Sequence, residues 1–407
     1  MIRLSVKYIS ALYFPLVLFF CVSFTNAENP AEVTVKKFCE FALVFIHLFI
    51  TAVYFFELPR FLKVIAAGVT LHFIYLMFTS YWEYGTFFIY PHVFNKVLVP
   101  LGICCAFIIA HIKRSFNIET VIKWIYALLV LKVAVLFLTG SRDAFRWGSD
   151  FRIINSMEAG LLLIPFIHYM LLFVSGKEKS FVKILFPLAF IFIAQHRTVW
   201  IATSLALVII MLKYPRVMGK FALASIVTAY LGLVFFQGFF STQFLTEVSS
   251  QIDDIKNFNT QGTGSWRMEQ NQFFLTRIYE KPVLGWGLQA FELGDVMEVE
   301  GWEEKGTHIH SAYIDHAYYF GLYGLVLLYL GFAVLLKKLF KTNDAGLVFC
   351  IFAACMFSFG TSYLIPSHAY FFCGWGLSYF YSLSPGTRVS PIKQLQHSLQ
   401  KGEVISG

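Results

Sequence analysis

Residues 262–287 read GTGSWRMEQNQFFLTRIYEKPVLGWG, and residues 307–324 read THIHSAYIDHAYYFGLYG. Together with the acidic run between them, they form the one long polar stretch of an otherwise apolar chain. The first segment mixes aromatic, basic and amide side chains, which predicts a helix near 266–280 that lies along a membrane surface. A proline and the sequence Gly-Trp-Gly end that helix. The second segment enters a long apolar run, so the stretch connects a surface helix to a membrane span.

The composition is that of a polytopic membrane protein. Of the 407 residues, 58% are hydrophobic and 14% are charged, and the mean hydropathy is +0.66. Soluble domains carry about 25% charged residues. The apolar runs are long enough to cross a bilayer, where helices satisfy every backbone polar group within one segment. The net charge of +8 then reflects lysine and arginine in cytoplasmic loops, and not nucleic-acid binding.

The apolar runs predict an all-α fold of about twelve transmembrane helices. The first run follows Arg3 and Lys7 and ends near Thr25-Asn26-Ala27, so a cleaved signal peptide is an alternative to a first span. We favour an uncleaved span. The twelve runs lie near 8–27, 38–56, 61–79, 93–112, 119–139, 158–175, 181–196, 198–212, 220–240, 311–336, 344–364 and 368–384.

The orientation follows from the distribution of lysine and arginine. With the N-terminus in the cytoplasm, the short loops and ends divide these residues 19 to 7 in favour of the cytoplasmic side, as expected for a membrane protein. This orientation places segments 140–157 and 241–310 outside. The predicted organisation is nine spans in 1–240, a large outer loop with short helices in 241–310, three spans in 311–384 and a cytoplasmic tail in 385–407.

The cysteines and histidines match no familiar metal pattern. His308 and His316, which lie near a third histidine, keep metal binding open, but no cysteine or carboxylate completes a zinc pattern. The acidic run 292–304 does not have the spacing of a calcium-binding loop, so a solvated face is the better interpretation. The cysteines also show no disulfide framework and are interpreted as packing residues. They are Cys21, Cys39, Cys104, Cys105, Cys350, Cys355 and Cys373.

His310 is the strongest candidate for a catalytic group. It precedes the tenth span, and helical spacing places it on one face with Ile314, Ala317, Gly321 and Gly324. Small residues on one stripe let two membrane helices approach closely. A helix N-terminus disfavours the imidazolium, and a neutral imidazole is what a general base requires. The alternative is an interfacial histidine that hydrogen-bonds a loop.

Two arginines are candidates for binding an anion. Arg197 lies in FIAQHRTVWIA, at the start of the eighth span, and a helix N-terminus with an arginine is a good phosphate site. The alternative is that Arg197 only reaches the lipid headgroups. Arg267 lies near the start of the predicted loop helix. Alone it is an ordinary charged residue, and its interest comes from the glycines before it and the turn after it.

These residues occur in an order that resembles the bacterial O-antigen ligases. His310-Ser311, nine residues and then Gly321-Leu-Tyr-Gly324 fit the pattern His-(Asn/Ser/Gln)-x9-Gly-x-x-Gly of that family. The resemblance covers roughly 145–330, and O-antigen polymerases share much of it. Three further segments are similar to the family: Trp147 to Arg152, Gln195 to Thr198, and Gly264 to Arg267 followed by a helix and Lys281-Pro282.

The resemblance implies a metal-independent, inverting glycosyltransferase without a cofactor, in the bacterial inner membrane and with its active site facing the periplasm. The donor would be a polysaccharide on undecaprenyl diphosphate, and the acceptor a sugar hydroxyl of lipid A–core. Arg197 and Arg267 would bind the diphosphate and offset its developing charge. His310 would take the proton of the attacking hydroxyl. Membrane lipid would surround the spans. Possible supporting residues are His308, Ser311 and Arg152.

Three alternatives remain at the level of the sequence. An O-antigen polymerase or a protein O-oligosaccharyltransferase would use the same chemistry with another acceptor. A flippase or ion-coupled transporter is a different class, and such proteins keep ionisable groups in the middle of the membrane. Lys132 is the only clearly mid-span charge in this chain. A receptor or scaffold would leave the ordered histidine and arginine positions unexplained.

Overall fold

All regular secondary structure in the described part of the chain is helical. The structure is a computed structural model, and it describes residues 15–19, 22, 30–58, 60–87, 105–106, 109, 118–139, 154, 156–174, 176–194, 196–219, 221–222, 253, 262–287, 289, 309 and 311–339. Within these ranges the main helices are α1 (Pro30–Tyr54), α2 (Arg60–Tyr84), α3 (Ile118–Leu138), α4 (Ser156–Val174), α5 (Val182–Ile193), α6 (Arg197–Lys213), α7 (Gly262–Glu280) and α8 (Ala312–Leu339).

Two of the described helices are long and apolar enough to cross a membrane. They are the segments Leu62–Tyr84 of α2 and Ile118–Leu138 of α3. On α2, Val64, Leu71 and Phe78 are each about two-thirds exposed and lie seven residues apart, so they form one apolar stripe. Such a stripe is unusual on a soluble protein and fits contact with lipid.

The expectation of an all-helical fold is therefore confirmed for the described residues, but the count of twelve spans is not. The predicted spans near 93–112, 220–240, 344–364 and 368–384 lie largely or wholly outside the described part of the chain, as does most of 8–27. The tail 385–407 also lies outside it. Two of the seven cysteines, Cys39 and Cys105, are described, and both are buried, as expected for packing residues.

Helix α4 forms the centre of the larger helical group. Its side chains from 158 to 170 are all buried, and it packs against α3, α5 and α6. The sequence EAGLLLIPFIHYM is apolar on nearly every side, and a helix of that kind is stable only when neighbours surround it. The packed side chains of α4 therefore hold this group together.

A fully buried ion pair lies inside this group. Lys132 Nζ of α3 is 2.6 Å from Glu158 Oε2 of α4, and the two side chains are 3% and 0% exposed. Lys132 was expected to be the only clear mid-span charge, and the structure supplies its counter-ion from the start of the next described helix. Since each charge balances the other, the pair joins α3 to α4 without leaving a net charge in the apolar interior.

The connection between α4 and α5 carries a second ion pair of a different kind. Lys183 Nζ donates to Glu178 Oε2 at 2.7 Å, and the lysine side chain is half exposed. The backbone amides of Ser180 and Lys179 donate to the other carboxylate oxygen, each at 2.9 Å. The Lys183 hydrogen bond, followed by that from Ser180, lowers the pKa of Glu178 to about 2. This carboxylate orders a surface loop.

Helices α2, α7 and α8 form a second packed group. Helix α8 contacts both α7 and α2. Aromatic pairs join them: Phe274 of α7 lies 4.8 Å from Tyr318 of α8, and His72 of α2 lies 5.7 Å from Phe320, measured between ring centroids. The described segments of the polar stretch, 262–287 and 311–324, therefore lie where these three helices meet.

Candidate functional site

Helix α7 presents a mixed polar and apolar face to the interior. Arg267, Gln270, Phe274 and Ile278 follow one another at spacings of three and four residues, which places them on one side of the helix. Gln270 is 0% exposed and Phe274 is 1% exposed, while Arg267 and Ile278 are half-buried. The predicted helix near 266–280 is thus confirmed, and it begins four residues earlier, at Gly262. Arg267 begins its inward face.

The Arg267 guanidinium lies beside an aromatic ring. Its Cζ atom is 5.7 Å from the centroid of the Trp266 ring, within the range of a cation–π contact. Arginine keeps its charge at any physiological pH and offers a planar fork of donors that matches phosphate oxygens. A half-buried arginine on the inward face of α7 is therefore suited to bind an anion.

The segment after α7 folds into a turn that is fixed by side-chain contacts. Helix α7 ends at Glu280, before Pro282, as the sequence predicts. The Trp286 indole Nε1 donates to the carbonyl oxygen of Arg277 at 3.0 Å. Lys281 Nζ lies 4.2 Å from the centroid of the Trp286 ring and also donates to the Gln289 side-chain oxygen. These contacts fold the turn back against the end of α7.

Four backbone hydrogen bonds join this turn to α8. The amides of Trp286 and Gly287 donate to the carbonyls of Tyr318 and Tyr319, each at 2.8 Å. In the other direction, the amides of Leu322 and Tyr323 donate to the carbonyls of Pro282 and Val283, at 2.8 and 3.0 Å. We call this arrangement the backbone clasp. It is possible because α8 is interrupted at Gly321, which frees backbone groups on both sides of the break.

Glycine is required at two positions of the backbone clasp. Gly321 has φ 61° and ψ −167°, a region that only glycine populates readily. A Cβ atom on Gly321 would overlap the Val283 carbonyl oxygen and lie 2.5 Å from Gly285 N. Gly285 has φ 69°, and a Cβ there would lie 2.5 Å from Gly321 N. The two backbones touch, and no side chain fits between them.

The close contact at Gly321 differs from the one expected from the sequence. The stripe His310, Ile314, Ala317, Gly321 and Gly324 was expected to admit a second helix along a continuous α8. In the structure the stripe is interrupted at Gly321, and the backbone that approaches Gly321 belongs to the 281–287 turn. A Cβ on Gly324 would overlap the Phe320 side chain of its own helix.

The start of α8 collects buried polar side chains. Ser311 is 6% exposed, and its hydroxyl accepts a long hydrogen bond of 3.5 Å from Ile314 N, so it caps the helix. Asp315 and His316 are 5% and 0% exposed. His316 is fully buried, and its ring centroid lies 6.2 Å from that of Phe320. His310 and His308 lie outside the described residues.

The structure describes the backbone of Arg197 but not its side chain. Arg197 is the first residue of α6, so the predicted placement at a helix N-terminus is confirmed. The ring Nε2 of His196 donates to the Ile154 carbonyl at 3.0 Å, and the Trp200 indole donates to the Ile191 carbonyl at 3.0 Å. These bonds fix the beginning of α6. The side chain of Arg197 and all of Arg152 lie outside the described residues.

A cavity of about 470 Å³ lies between α2 and the 281–287 turn. One face of α2 lines it, with His72, Tyr75 and Thr79 along the helix and Glu83 near its end. The opposite wall is the turn with Gln289, and Tyr319 of α8 completes the lining. The cavity is within the size range of small-molecule sites, ~300–1,000 Å³. Its wall combines aromatic rings with charged and amide groups.

Sequence reasoning missed several residues of this site. Gln270, Asp315 and His72 are buried or half-buried polar residues that received no role. His72 stands in an otherwise apolar run, and an ionisable residue in such a run is itself a signal of function. Asp315 lies in the first turn of α8, where an acidic residue is a common helix-start signal.

Among the described residues, no group of three His, Cys, Asp or Glu side chains is arranged to hold a metal.

The described architecture is all-helical, with two helices long and apolar enough to cross a membrane and with a polar, arginine-bearing helix, α7, that packs against α8. Residues 182–329 match the family model described as O-antigen ligase. The resemblance to that family is therefore confirmed over this region, which contains Arg197, Arg267, His310 and both clasp segments. No curated protein matches the chain.

Proposed function

We propose that the protein is an O-antigen ligase. It would transfer a polysaccharide from undecaprenyl diphosphate to a sugar hydroxyl of lipid A–core, on the periplasmic side of the inner membrane. The observation that carries the proposal is the packing of α7 on α8 within the matched region: Arg267 lies on the inward face of α7, and α8 begins directly after His310-Ser311. In this proposal the twelve spans, the outer loop 241–310 and the cytoplasmic tail 385–407 keep the topology predicted from the charges.

The reaction would be a direct displacement at the anomeric carbon. The acceptor hydroxyl oxygen forms a bond to that carbon from the side opposite the leaving group, and the bond from carbon to phosphate oxygen breaks. Undecaprenyl diphosphate leaves with the electron pair, and the hydroxyl proton passes to His310. A positioned general base contributes ~10²–10⁴-fold to such a step. The single displacement inverts the configuration at the anomeric carbon.

The arginines would act on the diphosphate. As the leaving group departs, negative charge grows on its bridging oxygen, and fixed cations stabilise that charge. Arg267 is placed on a face of α7 that is partly shielded from water, where a charge interaction is stronger than in bulk water. At the N-terminus of α6, the backbone amides would bind the diphosphate together with the Arg197 side chain. Two arginines in these positions make a divalent cation unnecessary for charge neutralisation.

The same chemistry serves two related alternatives, an O-antigen polymerase and a protein O-oligosaccharyltransferase. The family match supports the superfamily and does not separate them from a ligase. A flippase or ion-coupled transporter is less favoured, because Lys132 forms a buried ion pair with Glu158 and is not an isolated ionisable group in a transport pathway. The His-Ser-x9-Gly pattern is the reason for choosing the ligase.

Deletion of the gene tests the proposal and separates the alternatives. For a ligase, the lipopolysaccharide of the deletion strain lacks O-polysaccharide, and the polymer accumulates on its lipid carrier. For a polymerase, the core instead carries a single repeat unit. A normal lipopolysaccharide ladder with an underglycosylated membrane protein would identify the oligosaccharyltransferase. A normal ladder with no change in any glycan would contradict all three.

A further inference from the structure

We propose that the cavity between α2 and the 281–287 turn is a sugar-binding subsite, remote from the reacting anomeric carbon. This inference rests on the proposed function and deepens it. The first observation is the chemistry of the wall. A sugar ring presents an apolar face of C–H bonds and a rim of hydroxyls that both donate and accept hydrogen bonds. The cavity offers the rings of Trp286, Tyr75 and Tyr319, together with the Glu83 carboxylate and the Gln289 amide.

The position of these groups along α2 is the second observation. His72, Leu76, Thr79 and Glu83 lie on one helix face at spacings of three and four. The apolar and aromatic members are deeper in the helix, and Glu83 is exposed near its end. In the proposed topology that end is the outer one. The cavity thus has its charged rim toward the periplasm, where glycans are found, and its apolar floor toward the membrane.

The third observation is the distance from Arg267. From Arg267, helix α7 leads to the turn that forms the cavity wall, and Lys281 lies fourteen positions after Arg267. At 1.5 Å per residue, this separation is about 20 Å along the helix axis. A glycan whose diphosphate lies at Arg267 would have to extend over several sugar residues to reach the cavity. The subsite therefore selects for glycan length, and it does not contact the atoms that react.

The turn is built to keep this wall in place without a ligand. Lys281 lies over the Trp286 ring, and the backbone clasp fixes the main chain of the turn to α8. Because the wall is already ordered, binding a sugar costs little conformational entropy. Glu83 and Gln289 are exposed at the rim, so replacing them leaves the packed core intact. The Gln289 replacement also removes the acceptor of one Lys281 hydrogen bond, whereas the Lys281–Trp286 contact and the backbone clasp remain.

The test uses the full-length protein in nanodiscs, since maltoside detergents carry a sugar of their own. Transfer is measured with two donors, one bearing the complete polysaccharide and one bearing a single sugar. For the double variant Glu83→Ala, Gln289→Ala, we expect the KM for the long donor, divided by the KM for the single-sugar donor, to rise roughly tenfold. A tenfold change corresponds to the loss of about one good hydrogen bond to a charged group. Glu280→Ala is the control, because Glu280 is exposed at the end of α7 and does not line the cavity.

A rise in the acceptor KM instead would assign the same subsite to the core oligosaccharide. Binding of the free oligosaccharide, released from its lipid, is followed by tryptophan fluorescence. This measurement tests the subsite even if the wild-type protein transfers nothing. Absence of transfer by itself would contradict the proposed function and not the subsite. Saturable quenching that is lost in Trp286→Phe and weakened in the double variant supports the subsite. Unchanged KM values together with no sugar-dependent fluorescence change would overturn it, as would quenching by phospholipid alone.

Discussion

The two packed groups of helices are held together by different means. Around α4, side chains pack against side chains, and residues 158–170 are buried without interruption. Around α8, the closest contact is between two backbones, with Gly321 and Gly285 facing each other and four hydrogen bonds beside them. Among the described residues, the first group buries the Lys132–Glu158 ion pair, His168 and Thr203, and the second buries Ser80, Gln270, Ser311, Asp315 and His316.

This difference separates a scaffold from a working region. Apolar side-chain packing tolerates conservative exchange, because volume and shape are its main requirements. A backbone contact between two glycines tolerates no larger residue at either position, but it leaves the surrounding side chains available to bind a substrate. The buried polar side chains of the second group include Gln270, Asp315 and His316, which lie in the region matched to the O-antigen ligase family, where chemistry would need them. We therefore expect substitutions in the first group to reduce mainly stability, and substitutions in the second group to reduce both stability and transfer.

The largest effect on stability is expected at the ion pair of the first group. Lys132→Met leaves Glu158 buried without its counter-ion, and breaking such a pair typically costs 3–5 kcal/mol. We expect a large drop in the thermal unfolding midpoint of the purified protein, measured in nanodiscs. The double variant Lys132→Met, Glu158→Gln should recover most of it. If the single variant is as stable as the wild type, the pair does not join α3 to α4 as described.

The second effect is expected at the backbone clasp. Gly321→Ala places a Cβ against the Val283 carbonyl and forces a backbone conformation that costs ~1–3 kcal/mol. Gly287→Ala is the matched control, since Gly287 also has a positive φ, 54°, but open space around its Cβ. We expect Gly321→Ala to lower both the unfolding midpoint and the transfer rate more than the control does. Equal effects would mean that the clasp adds nothing beyond backbone strain.

The smallest effect is expected at the surface loop of the first group. The folded-state pKa of Glu178 is about 2, below its ordinary value of 4.5. A lowered pKa means that the carboxylate stabilises the fold above pH 4.5, and that this contribution is lost as the pH falls from 4.5 toward 2. The stability difference between the wild type and Glu178→Gln should therefore be small, constant above about pH 5, and should disappear at lower pH. A difference that grows on acidification would contradict the assignment.

The sequence predicted those features that depend on local pattern. The helix near 266–280 and its end before Pro282 follow from composition and from a proline, and Arg197 at a helix start follows from the hydrophobic boundary. The break at Gly321 could not be predicted in the same way. Gly-Leu-Tyr-Gly lies inside an apolar run that is compatible with a helix, and the conformation is decided by hydrogen bonds from residues more than thirty positions earlier.

Contacts between helices that lie far apart in the sequence also could not be predicted from it. Lys132 was visible as an isolated charge, but its partner depends on the register between α3 and α4. The cavity requires α2, the 281–287 turn and α8 to meet, and none of these contacts is encoded by spacing within one segment. His72 was overlooked because a single histidine in an apolar run has no periodic pattern.

The most direct test of the account is transfer from purified lipid-linked donor to lipid A–core, in the presence of a chelator, by the wild type and by His310→Ala and Arg267→Ala. We expect the wild type to be unaffected by chelator, and each variant to insert normally but to lose at least ~10²-fold in rate, which is the lower range for a positioned base or a charge-stabilising group. Arg267→Lys should retain part of the activity, because it keeps the charge and loses the fork. Wild-type rates in either alanine variant, or loss of the wild-type reaction on chelation, would contradict it.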